Sequence, residues 1–380
     1  MRDLVILGST GSIGRQALEI VAANPQSFRV VAITSSGKNF AELIEQAKKF
    51  QVGVVGVVEN SELVRAALPG VKVIDGANSS TEIAAISCDV VLNAITGSIG
   101  LGPTLAALGA GNRLALANKE SLVAGGDLVR AAAKPEQIIP VDSEHSAIWQ
   151  ALMAGKRSEI SRLVLTASGG PFRERSDLST VTVADALNHP TWSMGPVVTI
   201  NSATLVNKSL EIIEAHYLFD MDYSKISAVI HPQSIVHSLV EFHDGSSIAQ
   251  ASPPNMKGPI SYAINWPDRV AKATTPIDWS KSQQWDFAPV DHARFPAIQL
   301  AVESGKQGGA APAIFNAANE EAVGAFLAGK ISFTSILPTV EKVISHFAKE
   351  NSPMRDLADV GAVEQNARTM TIETLDRIAK

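Results

Sequence analysis

The chain has 380 residues, 46% of them hydrophobic and 18% charged, with a formal net charge of −6; that is more than one core usually supports and too apolar for a disordered chain, so two or three domains are expected. The acidic balance excludes a broad basic surface for nucleic acid or anionic lipid and points to a small-molecule partner, with any anion held by a local pocket. A lone cysteine, Cys88, excludes a disulfide framework and reads as a buried structural thiol; no apolar run reaches the ~20 residues of a membrane span, and the strand pattern starts too close to Met1 for a targeting peptide, so a cytoplasmic protein is expected.

Leu4 to Leu7 is a short apolar run of the kind a buried parallel strand needs, followed at once by Gly8-Ser9-Thr10-Gly11-Ser12-Ile13-Gly14 and an amphipathic helix to about Asn24. Strand, glycine loop and helix make a variant of the Rossmann fingerprint, in which a loop without side chains lets the backbone approach a pyrophosphate at the helix N-terminus. Glycine also serves tight strand-to-helix turns, and the dinucleotide reading rests on the further βα units behind it. The second strand, Val30 to Thr34, ends in Ser35-Ser-Gly37-Lys38-Asn39 and lacks the acidic residue that grips a ribose 2′-hydroxyl. A cation and hydroxyls suit a 2′-phosphate, hence NADPH, unless Lys38 is merely a solvated loop residue.

Strand-like runs follow at Val52 to Val58, Val71 to Ile74, Val90 to Asn93, Arg113 to Ala117 and Gln137 to Val141, with helical stretches between them. That alternation predicts a Rossmann-like, doubly wound, mostly parallel sheet covered on both faces. The loop Ala94 to Gly97 and the segment Asn118-Lys119-Glu120-Ser121 fall at strand ends, the edge where such sheets bind ligands. Lys119 is therefore a candidate contact to cofactor or substrate, although it also fits a helix start.

Asp142-Ser143-Glu144 comes just past a strand, and in an extended segment residues i and i+2 share a face, so both carboxylates can point at one ion. In the later stretch Asn207-Lys208-Ser-Leu-Glu211-Ile-Ile-Glu214 a helix would align Lys208, Glu211 and Glu214, either as a solvated ladder or as the other half of a metal site. Hard oxygen donors beside a Lys suit Mg²⁺ or Mn²⁺ and a phosphate. Between them the strand Ile160 to Ala167 leads into Ser168-Gly-Gly-Pro-Phe172, whose freed amides can meet an anion, unless it is a plain turn. The stretch His189-Pro-Thr-Trp192-Ser-Met194-Gly195 carries an aromatic and a sulfur in a loop, which suggests a lid or a small apolar cluster, with His189 donating to a phosphate. Ser202 is expected near the start of the next helix. His231 to His237 and the alternating run to Ala249 read as strands with a hairpin at His243-Asp-Gly-Ser; both histidines fit satisfied core positions, and His237 can also orient substrate. Pro253-Pro-Asn-Met256 reads as a rigid loop at the site's rim.

These motifs stand in one order: the Gly8–Gly14 loop, Ala117-Asn-Lys-Glu-Ser-Leu-Val123, Asp142-Ser-Glu-His145, Ser168-Gly-Gly-Pro-Phe172, His189-Pro-x-Trp-Ser-Met-Gly195, Asn207-Lys-x-Leu-Glu211 and His231-Pro-Gln-Ser234. Along nearly its whole length the chain thereby resembles the 1-deoxy-D-xylulose 5-phosphate reductoisomerase family. The resemblance implies a cytoplasmic homodimer of non-mevalonate isoprenoid biosynthesis that uses NADPH and Mg²⁺ or Mn²⁺ to make 2-C-methyl-D-erythritol 4-phosphate. It makes Asp142, Glu144 and Glu211 the metal ligands, with Glu214 close behind. Substrate contacts fall on Ser143, Ser168, His189, Trp192, Met194, Ser202, Asn207, Lys208 and His237, and catalytic roles on Lys119, Glu144 and His189. Cofactor contacts fall on Gly8, Ser9, Thr10, Gly11, Ser12, Ile13, Gly37, Lys38, Asn39, Ala94, Asn118, Lys119, Glu120, Gly195 and Met256. Ser209 and Asn201 depart from the family's frequent residues without touching a proposed ligand.

The expected organisation is a cofactor domain at 1–142, an α+β catalytic and dimerisation domain at 143–264, a linker at 265–291 and a C-terminal helical domain at 292–380. Its helical runs Ala310 to Ala328 and Phe333 to Ala348 carry no evident chemistry. The alternative function is a simple NADPH-dependent dehydrogenase of a phosphorylated or acidic alcohol, with the carboxylates structural.

Overall fold

The computed structural model describes residues 1–192, 194–348 and 351–378. These form two compact units, the first comprising Met1–Ser121, Val129–Trp149 and Asn255–Thr275, the second Leu122–Leu128, Gln150–Pro254 and Pro276–Lys380.

In the first unit the apolar runs become seven parallel strands, β1 (Arg2–Leu7), β2 (Phe28–Ser35), β3 (Val54–Val57), β4 (Lys72–Asp75), β5 (Val90–Asn93), β6 (Arg113–Leu116) and β7 (Ile138–Pro140), in the order β4-β3-β2-β1-β5-β6-β7. Leu4 pairs with Val30 on one side and Val90 on the other, so β1 sits where the order reverses, and the ends of β1 and β5 open the crevice that such sheets use for ligands. Both faces are covered: Leu4, Ile6, Val30, Ile33, Val90, Leu92 and Ile139 are all at most 3% exposed.

The excursion Asn255–Thr275 packs into this same core through Ile260, Ala263, Ile264 and Trp266. Trp266 meets the rings of Trp149 and Tyr262 edge-on at 5.4 and 5.3 Å, and its carbonyl accepts from Arg2 and Arg113 at 2.6 and 2.8 Å. A Trp so enclosed typically contributes about 3–5 kcal/mol by truncation. Cys88 is half-buried, shallower than expected, and burial pushes its thiol up to about 11, which keeps it protonated and unreactive.

The second unit holds a mixed sheet in the order β11-β10-β8-β9-β12, built from β8 (Ile160–Ala167), β9 (Ile226–Ile230), β10 (Val236–Phe242), β11 (Ser247–Ala251) and β12 (Ala288–Pro289). The hairpin expected at His243 to Ser246 joins β10 to β11, with Gly245 at φ +85° and the Asp244 carboxylate accepting from Ser246 N at 2.9 Å. His231 to Ile235, expected as strand, is a turn. Its imidazole explains why: Nε2 accepts from the amides of Ile235 and Val236 at 3.1 Å, replacing ladder bonds, and Ser234 adopts φ +51°. Helices Ala297–Gln307, Ala311–Leu327, Ile336–Phe347 and Leu357–Ile378 complete this unit; Ala311–Leu327 is buried on nearly every face, as its apolar composition dictates. Among the described residues no helix is long and apolar enough to cross a membrane.

Candidate active site

The glycine loop is built by close approach. A Cβ on Gly14 would lie 2.5 Å from Gly8 O and Ser9 Cα, and one on Gly8, at φ +76°, would lie 2.8 Å from Ala94 O. Glycine is therefore required for the turn from β1 into the helix Ser12–Ala23 to close against β5. That helix has Gly11 as its N-cap, no side-chain cap bond and no acidic residue in its first turn, so its leading amides and positive dipole end suit an anion. Thr10 Oγ1 bonds Ser35 Oγ at 3.1 Å, Gly8 N donates to Thr34 Oγ1 at 3.2 Å, and Gln46 Nε2 donates to Ser9 O at 3.1 Å, which fixes the loop from the neighbouring strand and helix. Thr34 and Gln46 escaped the sequence reading, since one polar residue in a strand or amphipathic helix carries no periodic signal. Lys38 and Asn39 are exposed at the end of β2, and the Asn39 amide donates to Glu42 at 2.6 Å.

At the ends of β5 and β6, Asn118 is 1% exposed and donates to the carbonyls of Ile95 and Gly97 at 2.7 and 2.8 Å, while Glu120 accepts from Gly97 N at 3.2 Å. The Ala94–Gly97 loop and the Asn118–Ser121 segment are thus one fastened surface. Asn118 acts on it as a tie, and Lys119 stands at the start of the helix Glu120–Ala132. Lys119 Nζ lies 2.5 Å from an Asp142 oxygen, with both side chains largely buried.

Asp142 and Glu144 do not lie on an extended segment. A helix, Ser143–Ala151, begins directly after Asp142, whose carbonyl accepts from Ser146 N at 2.8 Å, and Glu144 is in its first turn. Ser143 Oγ donates to Glu144 at 2.5 Å, and the wholly buried His145 has Nδ1 3.9 Å from Asp142. The donors are those expected, oxygen-rich and partly screened from water; a helix start, with its dipole, holds them in place of a strand.

In the second unit Ser168, His189 and Ser202 converge. His189 Nε2 is 3.0 Å from Ser168 Oγ and 3.1 Å from Ser202 Oγ, while its Nδ1 accepts from the amides of Thr191 and Trp192 at 3.1 and 2.9 Å. Two donors on Nδ1 place the ring proton on Nε2, so the imidazole presents an N–H toward both hydroxyls. Burial, and then the nearby Arg173 charge, hold His189 below the ordinary histidine range, which agrees with a neutral ring. Ser202 lies in the last turn of a separate helix, Pro196–Ala203, not at the start of the next one, because Leu205 at φ +61° breaks the two apart.

Trp192 is half-buried, its ring centroid 6.2 Å from that of the buried His237, whose Nε2 lies 3.1 Å from Ser252. Met194 is also half-buried; Ser193, between them, lies outside the described residues. On the helix Val206–Phe219 the expected row exists but is no solvated ladder: Lys208, Glu211 and Glu214 are 4%, 1% and 0% exposed. Lys208 Nζ pairs with one Glu211 oxygen and Asn207 Nδ2 donates to the other. Ionised groups are buried in this way where they are paired or bind a charged ligand. Met256 and Gly195 are half-buried and exposed respectively.

Three family models match the chain: 1-deoxy-D-xylulose 5-phosphate reductoisomerase over residues 4–126, its C-terminal domain over 138–219, and the DXP reductoisomerase C-terminal domain over 251–370. The 1-deoxy-D-xylulose 5-phosphate reductoisomerase of Kitasatospora griseola is 54% identical over 382 residues, covering 97% of this chain and 99% of that one, and that of Paenarthrobacter aurescens is 54% identical over 100% and 98%. Among solved structures, the Zymomonas mobilis enzyme in complex with NADPH superposes with a TM-score of 0.92 at 40% identity over 98% and 99% of the two chains. A reductoisomerase in complex with NADPH, fosmidomycin and magnesium does so with a TM-score of 0.92 at 37% identity over 99% and 98%.

Proposed function

The chain belongs to the 1-deoxy-D-xylulose 5-phosphate reductoisomerase family, and from that premise we propose that it converts 1-deoxy-D-xylulose 5-phosphate to 2-C-methyl-D-erythritol 4-phosphate with NADPH and a divalent metal. The observation that carries this is full-length likeness at 54% identity to relatives of that activity. The donor sets fit the two groups required: carboxylates alone at Asp142, Glu144 and Glu211 suit Mg²⁺ or Mn²⁺, and the uncapped helix behind the glycine loop suits a dinucleotide. When bound, the metal polarises the substrate's ketone and adjacent hydroxyl and NADPH supplies the hydride.

The chain's own residues then bind and orient. Gly8 to Ile13 take the pyrophosphate, while Gly37, Lys38 and Asn39 meet the 2′-phosphate, with Lys38 as the cation and the Asn39 amide held by Glu42. Ala94, Asn118, Lys119, Glu120, Gly195 and Met256 complete that cofactor set, Asn118 by holding its loops in place. His189 donates its Nε2–H to the substrate phosphate beside the hydroxyls of Ser168 and Ser202, helped by Asn207 and Lys208. This grip, remote from the reacting carbons, orients them. Lys119 and Ser143 meet the reacting end, where Lys119 pairs with Asp142. Trp192 and Met194, with His237, close over substrate and exclude water. We place cofactor binding in 1–142, catalysis and dimer contact in 143–264 and a helical cap in 292–380, in a cytoplasmic homodimer.

The test is NADPH oxidation with 1-deoxy-D-xylulose 5-phosphate, with and without a divalent cation. Metal-independent oxidation, or none with that substrate, would overturn the reading.

A further inference from the structure

We propose that Arg294 and Asn319, from the region after residue 291, are positioning residues that hold the phosphate grip of Ser168, His189 and Ser202 in register. The inference rests on the reading that these three bind the substrate phosphate. It assigns a function to a region whose sequence shows none.

The first tether starts at Arg294. Its Nη1 donates to Arg175 O at 2.9 Å and its Nη2 to Arg173 O, so one planar fork fastens two carbonyls of the segment that follows Ser168. The guanidinium is itself oriented, lying over the Phe295 ring at 5.0 Å with Nε 3.4 Å from Asp291. Arg173 in turn bears on the loop: a Cβ on Gly169 would stand 3.1 Å from Arg173 Cβ and 2.9 Å from Ile230 Cγ2. Arg173 thus packs closely against the glycine that follows Ser168.

The second tether comes from Asn319, which is fully buried on the helix Ala311–Leu327 and donates Nδ2 to Asn201 Oδ1 at 2.9 Å. Asn201 immediately precedes Ser202 on the helix Pro196–Ala203. The two tethers meet, because a Cβ on Gly170 would lie 2.8 Å from Ser202 O and 3.1 Å from Ala203 Cα. The Ser168 loop and the Ser202 helix end thus pack backbone to backbone, each adjoined by a segment that one polar side chain pins. His189 Nε2, within 3.1 Å of both hydroxyls, depends on that register. Neither Arg294 nor Asn319 touches the three groups, so the role is positioning.

The test uses the full-length enzyme with its metal. Arg294→Met and Asn319→Leu, close in volume to the native side chains, should each raise KM for 1-deoxy-D-xylulose 5-phosphate on the order of tenfold, with any fall in kcat reporting the lost orientation of the reacting carbons. The inhibition constant of inorganic phosphate should rise by the same factor, and KM for NADPH should stay. Arg294→Lys, which can serve one carbonyl, should recover part of the loss, and Asn201→Asp, which keeps the acceptor, should cost little. Ser202→Ala is the control for the underlying reading. If it raises both constants while the folded Arg294 and Asn319 variants stay within about twofold of the parent, the positioning role is refuted alone; if Ser202→Ala moves neither, the phosphate grip itself is misassigned. Should Arg294→Met fail to fold, Asn319→Leu and Arg294→Lys carry the same comparison, and unchanged constants in them refute the proposal.

Discussion

Replacing Gly14 with Ala separates a loop that merely turns from one that is shaped for a ligand. The added Cβ would stand 2.5 Å from Gly8 O and Ser9 Cα and 2.7 Å from Ser9 C, all backbone atoms that cannot rotate away. Restoring ordinary van der Waals contact means opening the turn by about 1 Å, an overpacking that typically costs ~1–3 kcal/mol. At roughly 2–4 °C per kcal/mol for a unit of this size, melting of the first unit should fall by several degrees. The leading amides of the helix Ser12–Ala23 move with the turn. Losing one bond to a charged phosphate, worth about 1.5–3 kcal/mol, should raise the NADPH Kd by roughly ten- to a hundredfold.

Gly11→Ala is the matched partner. Its nearest contact would be Gly8 O at 3.2 Å and its φ of −78° suits any residue, so stability should fall less than in Gly14→Ala while the methyl group stands where the pyrophosphate approaches. Fluorescence titration of NADPH and thermal melting on both variants decide the matter. A Gly14→Ala protein that melts and binds as the parent does would refute the close-packing argument, and a Gly11→Ala protein with full affinity would move the pyrophosphate off this loop.

Glu144→Gln and Glu211→Gln should each lower turnover by at least about a hundredfold with NADPH affinity unchanged, since the proposed metal and nucleotide contacts fall on different residues; parallel loss of NADPH binding in a titration would count against the ligand assignment. Chelation should abolish NADPH oxidation, and added Mg²⁺ or Mn²⁺ should restore it. Trp192→Ala should reduce kcat/KM strongly while costing far less than the ~3–5 kcal/mol of a core Trp, because the side chain is only half-buried; a large drop in melting temperature with normal kinetics would place it in a core. His189, held below its ordinary 6.5 by burial and by Arg173, binds fewer protons folded than unfolded. Its stabilising contribution is therefore complete above about pH 6.5 and lost as pH falls toward its lower folded value. The melting-temperature difference between the native protein and His189→Gln should narrow on acidification, and a widening difference would refute the neutral ring.

The strands were the most legible part of the chain. β5 (Val90–Asn93) has the bounds expected from its apolar run, because a strand buried on both faces is apolar nearly throughout and turn residues close it at each end; β8 (Ile160–Ala167) also has its expected bounds, although Arg162 faces solvent. The acidic motif was misread in form for a local reason: Asp142 and Ser143 ahead of Glu144 are a helix-start signal that outweighed the strand just before them. His231 defeated the strand pattern because an imidazole that accepts two backbone amides substitutes for ladder bonds, which no period reveals. In the candidate site the residue types were readable and their partners were not. Ser168 and Ser202 stand 21 and 13 positions from the histidine they share, and three different elements must pack before that geometry exists.

A neutral imidazole beside the proposed phosphate contacts of Ser168 and Ser202 has its own logic. Protonating His189 at Nδ1 would set an N–H against the amides of Thr191 and Trp192, forfeiting two hydrogen bonds inside the fold. The ring therefore stays neutral, and its Nε2–H offers direction without a second buried charge to desolvate. Arg173 contributes to both sides of this arrangement. Its charge lowers the affinity of the ring for a proton, and the same positive potential favours a dianion at the group the ring points to. A protonated histidine would bind the anion more strongly at low pH but would make substrate affinity follow cellular pH. The backbone amides on Nδ1 oppose that protonation, so the turn after His189 bears on the proposed phosphate contact through the histidine it orients.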